Sequence, residues 1–127
     1  MGWKIGNNGF EMMLSSELPK IILNSAAPKA KEILKQKGFD VSQIKHWALH
    51  PGGRAILDSL QNGLNLSDEQ LKPSREVLRN FGNLSSVSIL FVLKNVIDNQ
   101  SFQKDEFCCA IAFGPGLTME LVLFKVV

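Results

Sequence analysis

The chain has 127 residues, of which 45% are hydrophobic and 20% are charged. This composition is typical of one compact domain and excludes a disordered or fibrous protein. Fourteen Lys and Arg face 12 Asp and Glu, and the formal net charge of +2 is too small to indicate nucleic acid or an anionic membrane as partner. The apolar run at residues 87–92 is too short to span a bilayer, and the N-terminus lacks the apolar core of a signal peptide.

The cysteines, Cys108 and Cys109, are adjacent in the sequence. Neighbouring side chains of an extended strand point to opposite faces, so a disulfide between these two would be strained. We therefore expect free thiols and a cytoplasmic protein.

In chain order, the first half predicts a hairpin, a long helical stretch and a buried strand. The hairpin turns at residues 6–9, Gly-Asn-Asn-Gly. A helix is expected to begin near Ser16, to be kinked or divided at Pro28, and to end at Gly38. A short capped helical turn over residues 40–44 and a buried strand over residues 47–49 follow.

The second half predicts helices and then two closing strands. A helix over residues 54–61 should end at Asn62-Gly63, with four apolar residues facing inward: Ala55, Ile56, Leu57 and Leu60. Two short helices should begin at Ser67 and Pro73, and an apolar helix should span residues 85–97. Strands over 106–113 and 117–126 should form a hairpin-type pair. This order predicts an α/β fold with a mixed sheet covered by helices.

Glycine-containing turns are the candidate functional segments. His50 opens a Pro-Gly-Gly turn between a strand and a helix, where α/β proteins usually bind ligands, although a structural turn explains it equally well. Asn83, considered alone, is more simply a helix N-cap. The Gly-Pro-Gly turn at residues 114–116 is, by itself, a tight connection between strands.

Taken together, these segments resemble the type III polyketide synthases (chalcone- and stilbene-synthase-like enzymes) of the thiolase superfamily. The family's His-Pro-Gly-Gly-x-Ala-Ile-Leu-Asp segment is matched by residues 50–58, and its Arg-Glu-Val-Leu-x-x-x-Gly-Asn-x-Ser-Ser segment by residues 75–86. Its Phe-Gly-Pro-Gly-Leu-Thr-x-Glu segment is matched by residues 113–120. The resemblance implies one domain over residues 1–127, a thiolase-like C-terminal half-domain that ends in an antiparallel strand pair.

The resemblance implies that His50 and Asn83 match the family's catalytic histidine and asparagine, which flank a cysteine thiolate. They would hold the thioester carbonyl of malonyl-CoA and stabilise the enolate left by decarboxylation, which then condenses with an acyl-CoA starter. No metal or redox cofactor is implied, because CoA thioesters are the substrates. The remaining matched positions lie along the CoA tunnel (Gly52, Ala55) and in the cyclisation cavity (Ser85, Pro115).

The nucleophile marks the departure from the family pattern. The family's cysteine precedes the histidine, in an N-terminal thiolase half that is absent here, whereas Cys108 and Cys109 follow both His50 and Asn83. We expect these cysteines to be small buried strand residues. Whether this chain is an enzyme by itself therefore stays open, and we expect it to be inactive without the cysteine-bearing half as its partner.

Two alternatives remain from the sequence. One is a fragment of a ketoacyl-acyl-carrier-protein synthase III, although that group usually has His-Gln-Ala-Asn and Gly-Gly-Gly where this chain has His-Pro-Gly-Gly and Gly-Pro-Gly. The other is a non-catalytic folding or interaction module, which would expose an apolar face and self-associate.

Two pairs of polar residues have competing interpretations. His46 and His50 have the spacing of a helical metal pair, but the predicted strand and the lack of a third ligand argue against a metal site. Arg75 and Glu76 either form a charge network that supports the Asn83 turn or lie on a solvated helix face.

Overall fold

The computed structural model describes the backbone of residues 2–127 and the side chains of these residues except that of Trp3. The strands are β1 (Gly2–Gly6), β2 (Gly9–Met13), β3 (His46–Leu49), β4 (Phe107–Gly114) and β5 (Thr118–Lys125). The α-helices are α1 (Leu18–Ile21), α2 (Ala27–Gln36), α3 (Arg54–Leu64), α4 (Asp68–Phe81) and α5 (Ser88–Asn99). A π-helical turn covers Ile22–Ala26, and 3₁₀ turns cover Val41–Gln43, Ser85–Val87 and Pro115–Leu117.

The principal sheet has the order β3-β4-β5 and is mixed. β3 runs parallel to β4, with His46 opposite Cys108, and β5 runs antiparallel to β4, with Leu121 opposite Ile111. β1 and β2 form a separate antiparallel hairpin that turns at the predicted position. The expected mixed α/β sheet and its closing antiparallel pair are therefore confirmed.

Helices pack on both faces of this sheet. Because strand side chains alternate in direction, Trp47 and Leu49 of β3 point into a cluster with α1, α2, α3 and the first turn of α4, while Ala48 points into a second cluster with α4 and α5. Val77 and Val92 supply the helical side of the second cluster. Within residues 2–127, no helix has both the length and the apolar character that a membrane crossing needs.

The first helical stretch accommodates Pro28 without breaking. The chain remains helical from α1 to the end of α2, and the π-helical turn lies directly before the proline, where the Ala27 N–H bonds to the Ile22 carbonyl. The wider turn relieves the clash that a proline ring makes with the preceding helical turn. At the C-terminus of α2, Gly38 has a φ of +83° and the Phe39 N–H donates to the Leu34 carbonyl at 2.9 Å. Gly38 therefore ends the helix as predicted.

Helix α3 differs from its prediction in two ways. Asn62-Gly63 does not end the helix, which continues to Leu64. Gly63 instead allows two helices to approach closely, since a Cβ built there would lie 2.4 Å from the Ala27 Cβ. Ala55 is exposed rather than inward-facing, because it lies about 200° around the helix from the buried Leu57.

Helix α4 is one helix where two were predicted. Ser67 caps it as expected: its Oγ accepts from the Gln70 N–H at 3.2 Å, while the Gln70 side chain accepts from the Ser67 N–H at 3.0 Å. Pro73 lies in the second turn and is buried. It removes only the bond to the carbonyl of Glu69, an exposed residue of the first turn, so the helix continues.

Candidate active site

His50 follows the last residue of β3, and backbone hydrogen bonds fix its position. Its N–H donates to the Ile111 carbonyl of β4 at 2.9 Å, while its own carbonyl accepts from the Gly52 N–H at 2.9 Å. The chain thus turns sharply before α3 begins at Arg54. His50 is held at the mouth of the sheet, the position that the sequence predicted for it.

Asn83 lies two residues beyond the end of α4. Gly82, with a φ of +71°, ends the helix and redirects the chain. The Asn83 Nδ2 donates across to the Gly52 carbonyl at 3.2 Å, and its Oδ1 accepts from the Ser85 N–H at 2.9 Å. Ser85 is in the left-handed region with a φ of +57°, which is uncommon for a residue with a side chain. Asn83 therefore connects its own turn to the turn that carries His50.

A cavity of about 720 Å³ opens beside these two turns. It brings together five of the six residues that the sequence predicted for the site: His50, Gly52, Asn83, Ser85 and Pro115. Ala55 is not among the lining residues and is exposed on the first turn of α3. Its place along a CoA tunnel stays a prediction.

The rest of the cavity wall is largely apolar, and sequence reasoning did not single it out. The β1–β2 hairpin and the chain after it contribute Met12 and Leu14, and the first helical stretch contributes Leu18 and Ile22. Ile89 of α5 also lines the cavity. These apolar residues belong to no sequence motif. They can be assigned to the cavity only from the structure, in which the hairpin lies near the end of the sheet.

The environment of His50 keeps its imidazole neutral. Burial lowers the pKa of His50 below the usual 6.5, because the charged ring would lose solvation in the cavity wall. A neutral imidazole can donate one N–H, and an amide such as that of Asn83 carries two. Since Gly52 takes one N–H of Asn83, each residue retains a donor that a ligand oxygen in the cavity can use.

Cys108 and Cys109 are free thiols buried near the start of β4, as expected. Burial raises the pKa of Cys108 to about 11. Burial, together with the neighbouring Cys108, raises the pKa of Cys109 to about 12. Neither residue lines the cavity. Because the thiolate is the nucleophile, neither cysteine is suited to carry an acyl group.

His46 lies at the other end of β3 from His50 and is 2% exposed. Its Nε2 lies 2.8 Å from Glu106 Oε2, its Nδ1 contacts Gln100 Oε1, and its ring packs on Phe102 with centroids 4.4 Å apart. Both ring nitrogens thus have partners from the segment before β4. Among the side chains that the structure describes, no cluster of three or more His, Cys, Asp or Glu residues could hold a metal ion.

Arg75 and Glu76 connect neighbouring helices rather than the Asn83 turn. The Arg75 guanidinium donates to Asp58 Oδ1 at 2.6 Å on α3, and Glu76 accepts from Asn95 Nδ2 at 3.2 Å on α5. Neither contacts Asn83, so the charge network that would support the Asn83 turn is not formed. Two separate bonds instead join α4 to the helices on both sides.

The whole chain, residues 1–127, matches the sequence family described as the C-terminal domain of chalcone and stilbene synthases. The chain belongs to this family. Two curated relatives agree. The chain is 38% identical over 124 residues to the "Alpha-pyrone synthesis polyketide synthase-like Pks18" of Mycobacterium tuberculosis, a match that covers 97% of this chain and 32% of that protein. It is 36% identical over 130 residues to the "Type III polyketide synthase B" of Arabidopsis thaliana, covering 96% and 33%.

Solved structures of type III polyketide synthases have the same fold. PKS-I from the brown alga Ectocarpus siliculosus aligns with a TM-score of 0.89 and 33% identity, over 99% of this chain and 35% of that one. The 1,3,6,8-tetrahydroxynaphthalene synthase of Streptomyces coelicolor aligns with a TM-score of 0.91 and 28% identity, over 98% and 36%. The thiolase-like fold of this family is thereby confirmed. The chain spans about a third of the length of the curated relatives it matches.

Proposed function

We propose that this chain is the C-terminal part of a type III polyketide synthase and supplies the oxyanion site for decarboxylative condensation of malonyl-CoA onto an acyl-CoA starter. One observation carries the proposal: Asn83 hydrogen-bonds to the Gly52 carbonyl in the turn that begins at His50, and all three residues line one cavity. Family membership and the names of the relatives support it.

In the proposed reaction, the malonyl thioester oxygen accepts hydrogen bonds from His50 and Asn83. The bond to the terminal carboxylate breaks, CO₂ leaves, and the electron pair of that bond forms an enolate whose negative oxygen the same donors stabilise. The enolate carbon then bonds to the carbonyl carbon of an acyl-cysteine thioester, and the cysteine thiolate leaves. Donors that are already oriented stabilise the developing charge without reorganisation, which is the largest single contribution in many such sites.

The nucleophilic cysteine of this reaction has to come from another part of the enzyme. Cys108 and Cys109 are buried, and both thiols have raised pKa values. An oxyanion site without a thiolate can hold an enolate but has no acyl group for the enolate to attack. We therefore expect the 127-residue chain alone to release no condensation product.

A chimera tests the proposal, with these residues in place of the matching third of the mycobacterial relative. We expect it to release CO₂ from malonyl-CoA and to form a condensation product with an acyl-CoA starter. His50→Gln and Asn83→Ala should each lower the rate of decarboxylation by about 10²- to 10³-fold. Asn80→Ala, an exposed asparagine on α4 that is outside the cavity, is the matched control and should retain the parent rate.

Three outcomes would contradict the proposal. A soluble, folded chimera with no decarboxylation would remove its basis. Equal rates for Asn83→Ala and Asn80→Ala would show that the Asn83 amide holds no oxyanion. If the chimera is active only with substrates bound to acyl carrier protein, and not with free CoA esters, the ketoacyl synthase III alternative would be favoured over a type III polyketide synthase.

A further inference from the structure

Ser74 on α4 makes a hydrogen bond that the proposed mechanism does not use. Its side chain is 0% exposed, and its Oγ accepts from the Leu49 N–H at 3.0 Å. Leu49 is the last residue of β3 and immediately precedes His50. A polar hydroxyl in the core is costly unless it is paired, so a buried serine that bonds to this strand end needs an explanation.

The hydrogen bond holds the side of β3 that has no partner strand. β3 pairs with β4 on one side only, and the His50 N–H bonds to Ile111 on that side. Successive backbone N–H groups of a strand point in opposite directions, so the Leu49 N–H points away from β4. Ser74 takes the place of a neighbouring strand there. The strand end is therefore fixed on both sides, directly before the histidine.

The same helix also holds the other half of the site. Asn83 follows the C-terminus of α4, about 10 Å along the helix from Ser74 by the rise per residue, and bonds to Gly52 just after His50. Helix α4 thus contacts the His50 segment at two points, one before the histidine and one after it. The bonds of Arg75 to α3 and of Glu76 to α5 keep the helix from sliding.

We propose that Ser74 is a positioning residue that sets the distance between the His50 and Asn83 donors by joining α4 to the end of β3. The inference rests on the proposed function, because it assigns Ser74 to the same oxyanion site. Two donors that act on one oxygen must both lie within 2.7–3.1 Å of it. A shift of His50 by a fraction of an ångström would leave substrate binding nearly intact and weaken transition-state stabilisation.

Ser74→Ala removes the hydroxyl and leaves the Leu49 N–H without its partner. In the active chimera we expect kcat for malonyl-CoA decarboxylation to fall by about 10- to 100-fold, with little change in KM. Ser74→Thr keeps the hydroxyl and should restore most of kcat. Val77→Ala is the matched control, one turn along α4 and 2% exposed, because it creates a cavity between the same helix and β3 but removes no hydrogen bond to the strand end.

A second readout does not depend on activity. The ring of His50 can be titrated by NMR in the 127-residue chain itself. Ser74→Ala should loosen the strand end, expose the ring and move its pKa back up towards the usual value, whereas Val77→Ala should leave that titration unchanged. If the chimera shows no decarboxylation but Ser74→Ala still shifts the pKa of His50, the polyketide assignment is overturned and the positioning role of Ser74 is not.

The opposite pattern would overturn the role of Ser74 alone. If Ser74→Ala and Val77→Ala lose equal stability in urea and also match in kcat and in His50 titration, then Ser74 merely contributes to the core. A decrease in kcat for Ser74→Thr as large as that for Ser74→Ala, at an unchanged unfolding midpoint, would equally exclude the hydroxyl as the positioning group.

Discussion

The two histidines of this chain lie at the ends of the same strand, but only one of them borders the cavity. His46 begins β3 and His50 directly follows the last residue of that strand, so the two histidines lie at opposite ends of it. His50 lies at the cavity with one ring nitrogen available for donation, whereas His46 is enclosed by Glu106, Gln100 and Phe102. The spacing alone suggested a pair; the partners assign one histidine to the site and the other to the core.

The carboxylate beside His46 predicts how stability depends on pH. Hydrogen bonds from His46, from Lys45 and from the Gln103 backbone lower the pKa of Glu106 from 4.5 to about 2. The unfolded chain therefore binds this proton at a higher pH than the folded chain. The stabilisation is complete above about pH 4.5 and is lost as the pH falls towards 2.

Glu106→Gln keeps the shape of the side chain and removes its charge. We expect a lower urea midpoint than the parent at pH 7. The difference should shrink as the pH falls from 4.5 to 3, because the unfolded parent then binds a proton at this carboxyl while the folded parent does not. Glu120→Gln, on an exposed position of β5, controls for the loss of a carboxylate as such. An equally large difference at pH 3 and at pH 7 would mean that packing rather than charge is responsible.

Sequence patterns predict the residues of this site unevenly, for a physical reason. His50 and Asn83 stand in turns whose order and spacing form a motif, so the resemblance selected them. Ser74 stands in the middle of a helix, where a serine carries no local signal. Its significance depends on the edge of β3 lying against α4, a tertiary contact between residues 25 positions apart. Glu106, just before β4, was likewise missed because its partner His46 is 60 positions away.

At the scale of elements, strands and caps were predictable, while interruptions of helices were not. The Ser67 cap and the Gly38 terminus satisfy backbone groups locally, so the sequence alone determines them. Pro28 was expected to kink or divide a helix, Asn62-Gly63 to end one and Pro73 to begin one, yet each lies within a continuous helical stretch. The local cost of each proline or glycine in a helix is small compared with the free energy that unbroken helices gain by burying apolar area on the sheet.

Gly63 gives the clearest test of that balance. Gly63→Ala should raise helix propensity by about 1 kcal/mol, yet the added Cβ would lie 2.4 Å from the Ala27 Cβ. Overpacking costs about 1–3 kcal/mol, so after the gain in propensity we expect a net loss of about 0–2 kcal/mol in the free energy of unfolding. Asn62→Ala, next to it and exposed, should be neutral or slightly stabilising. Urea unfolding of both variants makes the comparison, and a stabilised Gly63→Ala would show that the two helices can separate at little cost.

At the scale of the whole molecule, large apolar side chains remain uncovered. Ile5 and Phe10 on the hairpin are 78% and 76% exposed. A second exposed apolar group lies around the start of α5: Phe81, Leu84, Val87, Leu90 and Phe91. The rings of Phe81 and Phe91 pack with centroids 5.1 Å apart, so these two exposed side chains are in contact. Monomeric proteins rarely leave such patches in water, which suggests that they become covered.

The α5 patch predicts that the chain by itself associates with a second copy. Burying the exposed 62% of Leu90 should contribute about 1–2 kcal/mol per copy to an interface. Leu90→Lys should therefore shift the monomer–dimer midpoint in sedimentation velocity to at least about tenfold higher concentration. Asn62→Lys adds the same charge at an exposed polar position on α3 and should leave the midpoint unchanged. If the parent chain stays monomeric across the concentration range, or if both variants shift alike, the apolar surface is not what drives association.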